Sequence, residues 1–162
     1  MLAQLLRTNA DKMPANFLRR IGNLWLPFWG AGIKIVHISP DYRLIQVQLK
    51  LRWYNKNYVG THFGGSMYAM TDPFYMMMLI NNLGKQYIVW DKGAKIDFLK
   101  PGRGTLSVTF EMSEQEIQAV KNKADTDGKY VFDIPVDVRN EQGEIVASVI
   151  KTLYIRKKSN QP

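Results

Sequence analysis

Two features of this chain combine residue type and spacing in a way that could do chemistry. Asp72 lies inside the apolar stretch Met67 to Leu83, where an ionised carboxylate is costly to bury. Pro73 follows it, which disturbs a helix and frees the carbonyl of Ala69. Such a carboxylate is either satisfied at a helix break or recruited as base or nucleophile, and the residues alone leave the two readings even. Gly64-Gly65 stand just before the apolar stretch. Paired glycines let a ligand approach the backbone closely. A helix's first turn presents unpaired N–H groups and the positive end of its dipole. A carbonyl placed there is polarised, and losing one such donor costs about 3 kcal/mol in a transition state. Taken alone, the pair favours the plainer reading, a tight loop before a helix.

The elements that must position these residues follow from periodicity. Leu5, Leu6, Phe17, Leu18, Ile21, Leu24 and Trp25 recur at helical spacing over an N-terminal segment, 1–30, that Pro14 splits and Pro27 ends. The run Leu24 to Trp29 is very apolar; a place over the core or at an oligomer contact is preferred to a membrane surface. Residues 32–39 form a strand. The next strand alternates, with Ile45, Val47, Leu49, Leu51 and Trp53 on its buried face. A polar loop, 54–65, leads into a central helix over 64–83. Strand resumes at 86–100, with Gly93 as an irregularity, and again at Leu106 to Met112. Ser113 caps a helix over 113–123, with Glu116 closing a capping box. Two last strands, at Tyr130 to Val138 and Ile145 to Ile155, flank a hairpin turn at 140–143. The final strand reads as apolar on both faces. A helix inserted after two strands of an otherwise antiparallel sheet makes an α+β fold, with the sheet wrapped around one long central helix.

Composition narrows the chemistry. At 162 residues and 46% hydrophobic, the chain fits one domain, 1–162, with ample core. There is no cysteine, which excludes disulfides, thiolate catalysis and zinc–thiolate sites. The two histidines, His37 and His62, are too few for a histidine-rich metal site, so no metal is expected. No apolar run is long enough to span a bilayer, and Asn9 and Asp11 interrupt the start where a secretory signal would be apolar; the expected compartment is cytoplasmic. The net charge of +8 attracts anions, but the basic residues are spread along the chain in no nucleic-acid-binding pattern. Neither a Gly-x-Ser-x-Gly elbow nor a phosphate-binding Gly-rich loop with lysine is present.

The segment Asn57 to Gly65 resembles the Asn-x-x-Gly-x-x-His-Gly-Gly signature of hotdog-fold acyl-CoA thioesterases of the phenylacetic-acid-pathway type. Asn57, Gly60, Gly64 and Gly65 match, and Asp72 supplies the acid nine positions after the signature's histidine, here Phe63. Within that superfamily the chain is similar to the DUF4442 branch, through Gly32-Ile33, residues 60–66, Asp72-Pro73-Phe74 and Val89-Trp90-Asp91-Lys92. The resemblance implies a hotdog fold and hydrolysis of an acyl-CoA or related thioester, coenzyme A entering only as part of the substrate and with no cofactor. It implies that Asp72 acts as base or nucleophile, that Gly64 and Gly65 hold the oxyanion, and that Asn57 orients a water or the acid. It puts Phe63, His62 and Ser66 beside the substrate, and Lys95, Lys100 and Arg103 where the family binds nucleotide phosphates. Ser66 and Thr71 also read as packing residues. Met67, Met70, Met76, Met77 and Met78 could line an adaptable acyl pocket, with core packing preferred. On one helix Gly64 and Asp72 are about 12 Å apart along the axis, so if both act on one carbonyl Asp72 comes from another chain. A homodimer or homotetramer with shared sites is therefore expected, with no nucleic-acid or membrane partner. Phe63 at the histidine position favours an alternative, a non-catalytic acyl-CoA or fatty-acyl binding protein. A structural oligomer at a membrane surface is a third class.

Overall fold

The computed structural model describes residues 13–158; the expected helical residues Leu5 and Leu6 lie outside them. The elements are α1 (Ala15–Leu24), α2 (Leu26–Ala31), β1 (Ile33–Ile38), β2 (Leu44–Lys50), α3 (Gly64–Ala69), α4 (Phe74–Leu83), β3 (Tyr87–Phe98), β4 (Thr105–Glu111), α5 (Glu114–Asp127), β5 (Lys129–Arg139) and β6 (Ile145–Lys157). The six strands form one sheet in the order β1-β2-β4-β5-β6-β3, and every pair is antiparallel.

Alternation builds the core as expected. Ile45, Val47 and Leu49 face Phe110, Val108 and Leu106 across the β2–β4 ladder, and all six are buried. The helical layer lies on this face. The Phe74 ring stands 5.0 Å from that of Phe110 and the Tyr75 ring 5.1 Å. Burial of each such side chain stabilises by about 1.5–3 kcal/mol. Tyr75 also donates its hydroxyl to Pro135 O at 3.2 Å, tying α4 to β5. The capping box forms at Ser113 and Glu116, and α5 runs to Asp127, four residues past its expected end, before Gly128 closes it with φ +71°.

Three local readings change. Pro27 sits in the first turn of α2 rather than ending a helix, because a helix's first turn needs no donor from that position. The second strand stops at Lys50, and Trp53, expected inside, is 87% exposed. The cause is Asn55, whose Nδ2 donates to Lys50 O and Ala31 O at 2.9 Å each while its Oδ1 accepts from Arg52 N at 2.7 Å. That turn presses on Gly32, at φ +83°, where a Cβ would collide with the Asn55 amide. Third, the central helical segment is in two pieces, α3 and α4, separated at 70–73. Asp72 N donates to Ala69 O at 3.2 Å, so that carbonyl is not left free. Thr71, fully buried, donates its hydroxyl to Tyr68 O at 2.8 Å. Among the described residues no helix is long and apolar enough to cross a membrane.

Candidate active site

The break between α3 and α4 turns Asp72 toward β6. There Lys151 occupies an inward position between Val149 and Leu153, all three buried. Lys151 Nζ lies 3.0 Å from Asp72 Oδ1 and 3.2 Å from Asp91 Oδ1. Asp91 comes from β3, and an irregularity in that strand puts it there. Asp91 pairs with Leu153 and Ala94 with Lys151, with Lys92 as the extra residue between. Three residues apart on a regular strand, Asp91 and Ala94 would face opposite sides; the bulge returns both to the inner face. Tyr68, from α3, places its ring centroid 5.6 Å from Nζ, within reach of a cation–π attraction.

The three side chains differ in surroundings. The Lys151 side chain is 1% exposed and that of Asp72 47%. Burial alone would push the lysine down, but the Asp72 hydrogen bond and the charges of both carboxylates outweigh it and hold Lys151 above the ordinary lysine value. Asp91 is pushed up to about 6. Its burial is the main cause; the Lys151 charge opposes it, and the neighbouring Asp72 carboxylate pushes the same way as burial. Among the described residues no donor reaches either Asp91 oxygen in hydrogen-bond geometry, the contact with Lys151 being ionic. Two carboxylates around one cation favour a proton on the buried member, Asp91. The cluster can hold a proton on Asp91 and present Asp72 as a base.

The glycine pair occupies a different place. Ser66 N and Met67 N both donate to Phe63 O, at 3.0 and 3.2 Å, leaving the Gly64 and Gly65 N–H groups outside the helical ladder. A Cβ on Gly64 would meet the Phe98 ring at 2.9 Å, and one on Gly65 would collide with the Phe63 ring. Both glycines thus lie under aromatic rings, each ring partly exposed. The β3–β6 ladder separates Phe98, which touches Gly64, from the lysine that touches Asp72. Phe98 pairs with Ala147, and Lys151 is four residues further along β6, about 13 Å of strand. Gly64 and Asp72 thus contact positions of the ladder that are four residues apart along β6.

The remaining residues read from the sequence are distributed as follows. Asn57 pins its own loop: Oδ1 accepts from Val59 N and Thr61 N, and Nδ2 donates to Thr61 Oγ1 and His62 O. His62, expected beside the substrate, points inward instead. It is 1% exposed with Nε2 3.0 Å from Gly104 O, and burial, opposed by that contact, lowers its pKa. Phe63 is 57% exposed, and Ser66 is buried. Lys95 pairs with Asp97 at 2.9 Å and Lys100 with Glu144 at 2.7 Å, all largely exposed; such pairs are weak and open readily to a competing anion. Arg103 is exposed. A surface cleft of about 310 Å³ lies over the β4–β5 seam, beside Tyr75 and Pro135, and does not include Asp72. Lys151 and Asp91 are the site residues that sequence reasoning missed, and a charge at an inward position of an alternating apolar strand was the available signal.

An antiparallel sheet holding a central helical segment defines a hotdog fold. Within that class the chain belongs to the family described as domain of unknown function DUF4442, whose model matches residues 14–155. It is similar to a Pseudomonas aeruginosa protein of unknown function called a probable thioesterase, with TM-score 0.80 and 17% identity over 90% of this chain and 97% of that one. A Haemophilus influenzae thioesterase gives TM-score 0.64 and 13% identity over 93% and 96%. The Escherichia coli PaaI protein from the phenylacetic acid degradation operon gives 0.57 and 15% over 86% and 89%. At these identities the likeness is one of fold. No curated protein matches the chain in sequence.

Proposed function

We propose that the protein hydrolyses an acyl-CoA or related thioester, with Asp72 as general base. The observation that carries this reading is the half-open Asp72 carboxylate held at 3.0 Å by a buried lysine. Asp72 takes a proton from a water whose oxygen attacks the thioester carbon. The tetrahedral oxyanion is met by first-turn N–H groups of Gly64 and Gly65. Its collapse breaks the C–S bond, and the leaving thiolate recovers the proton from Asp72. Because the ladder separates Gly64 from Asp72, the two groups at one carbonyl come from two subunits. The twelve-residue strand β3 ends the sheet, and an edge of that length is a template for pairing. Lys95 and Lys100 would receive the coenzyme phosphates by exchanging their surface carboxylates, and Arg103 would add a third cation.

One observation favours a second reading, binding without hydrolysis: Phe63 stands where the thioesterase signature has histidine, and its ring packs over Gly65. Thiol release from a series of acyl-CoA lengths separates the two. Asp72→Asn is expected to lower turnover about a hundredfold, the scale of a lost acid–base group, with folding and mass unchanged. Full activity in that variant, or acyl-CoA bound and intact for hours in the wild type, overturns the hydrolase reading.

A further inference from the structure

We infer that the corner formed by α1, α2 and the turn at 52–56 docks on an anionic membrane surface. This does not rest on the hydrolase reading. The apolar run Leu24 to Trp29 does not cover the core: only Phe28 within it is buried. Leu24, Leu26, Trp29 and Trp53 are each 67–87% exposed. Asn55 joins the segments that carry the last two, since one amide nitrogen bonds both Ala31 O, at the end of α2, and Lys50 O, at the end of β2. The arrangement is built on a rigid base. Asn23 of α1 brackets the backbone of Ile35 on edge strand β1, donating at 3.0 Å and accepting at 2.7 Å.

Charge identifies the occupant. Residues 13–60 hold seven lysines and arginines and a single acid, Asp41, which is itself paired with Arg43 at 2.8 Å. Residues 61–158 hold thirteen basic and twelve acidic residues. Almost the whole positive excess of the described chain therefore lies on the part that carries Trp29 and Trp53. Lys50, Arg52 and Lys56 flank Trp53 in sequence and are all exposed. A second copy of this chain is a poor occupant, because a two-fold interface sets the same patch against itself and would oppose these cations to one another. An anionic leaflet meets both requirements. Tryptophan and leucine side chains enter the headgroup boundary, and each lysine or arginine near the surface adds about fivefold in affinity.

The test is sedimentation with phosphatidylcholine vesicles, with and without phosphatidylglycerol, at low and high salt. The wild type is expected to bind the anionic vesicles at least about tenfold more tightly than the neutral ones and to release with salt. Trp29→Ser with Trp53→Ser should weaken binding at least about tenfold, and Arg52→Glu with Lys56→Glu should remove the preference for anionic lipid. These side chains are exposed, and an unchanged melting temperature verifies folding. Absent or charge-independent binding overturns the inference, as does unchanged binding by the tryptophan variant. Dissociation of a wild-type oligomer by the tryptophan variant, seen by ultracentrifugation, also overturns it and assigns the face to a second copy.

Discussion

Lys151 Nζ sits 3.0 Å from Asp72 Oδ1, although the lysine is almost wholly buried and the aspartate is half open. The open carboxylate lies in the short turn between α3 and α4, while the lysine is fixed in β6, hydrogen-bonded on one side to β5 and on the other to β3. A group on a turn is thus positioned by a central strand, which is what a reactive side chain needs to keep its geometry. Asp91 makes the contact asymmetric. The lysine serves two carboxylates, one buried and one presented outward.

Above about pH 6, where Asp91 is ionised, removing that cation leaves its carboxylate inside without compensation. Lys151→Met keeps the length and apolar stem of the side chain but strips the charge. Breaking a buried pair from one side costs about 3–5 kcal/mol, and the open face of Asp72 places this case near the lower end. The double variant Lys151→Met with Asp91→Asn should recover most of the loss, because no unpaired buried charge remains. Urea unfolding of the two variants checks this, and equal stability of single and double variants would refute the coupling.

The pH dependence of stability follows from Asp91. Its folded value, about 6, stands above the ordinary 3.8, so between these values the folded protein holds the proton more tightly than the unfolded chain. The contribution of Asp91 to stability is therefore greatest below about 3.8 and is lost as pH rises through about 6. Asp41, lowered to about 2 first by its Ser39 hydrogen bond and then by Arg43, acts in the opposite sense, losing its contribution as pH falls below 3.8. The stability difference between the wild type and Asp91→Asn isolates the first effect. It should fall from pH 4 to about 6 and then level off, as measured by denaturant titration at each pH. A flat difference would show that Asp91 keeps its ordinary value.

Much of the fold could be read from alternation, because β2 and β4 bury one face each and β5 and β6 meet at a short turn. The capping box at Ser113 was equally plain, since its signal lies within four residues. What escaped was carried by long-range contacts. Asp72 and Lys151 are 79 residues apart in sequence, so nothing local announced that a lysine inside an apolar strand had a partner. Asp91 fell within the DUF4442 pattern without a role, because its inward direction depends on the bulge at Lys92. Trp53 continued the alternation of β2, and only the Asn55 side chain, which bonds α2 as well as β2, takes it out of the sheet.

His62 should prove structural. Its Nε2 contact with Gly104 O ties the 54–63 loop to the turn before β4, and burial keeps the ring neutral. His62→Ala is expected to cost about 1–3 kcal/mol of stability from the lost buried hydrogen bond, with turnover per folded molecule unchanged. The lowered pKa also fixes a sign: the unfolded chain binds the proton first, so the wild type loses stability as pH falls below 6.5, and the variant lacks that loss. Reduced turnover in a fully stable variant would return His62 to the site.

The spacing along β6 makes the last prediction. Phe98, whose ring packs on Gly64, pairs with Ala147, and Lys151 holds Asp72 four residues away. If one carbonyl is served by both groups, each site takes Asp72 from one protomer and the glycine pair from its partner. Two variants that each disable one half should then complement each other. Asp72→Asn removes the base. Gly65→Pro removes one N–H donor at a position where the obstructing Phe63 ring is 57% exposed and can swing aside. Each homo-oligomer should be nearly inactive. In a dimer formed after equal mixing, half of the molecules are hybrids and one of their two sites is intact, so about a quarter of wild-type activity should return. Native mass spectrometry of the mixture verifies that hybrids have formed. Hybrids without activity would show that every chain carries a complete site and that Gly64 and Gly65 serve only to admit the two aromatic rings.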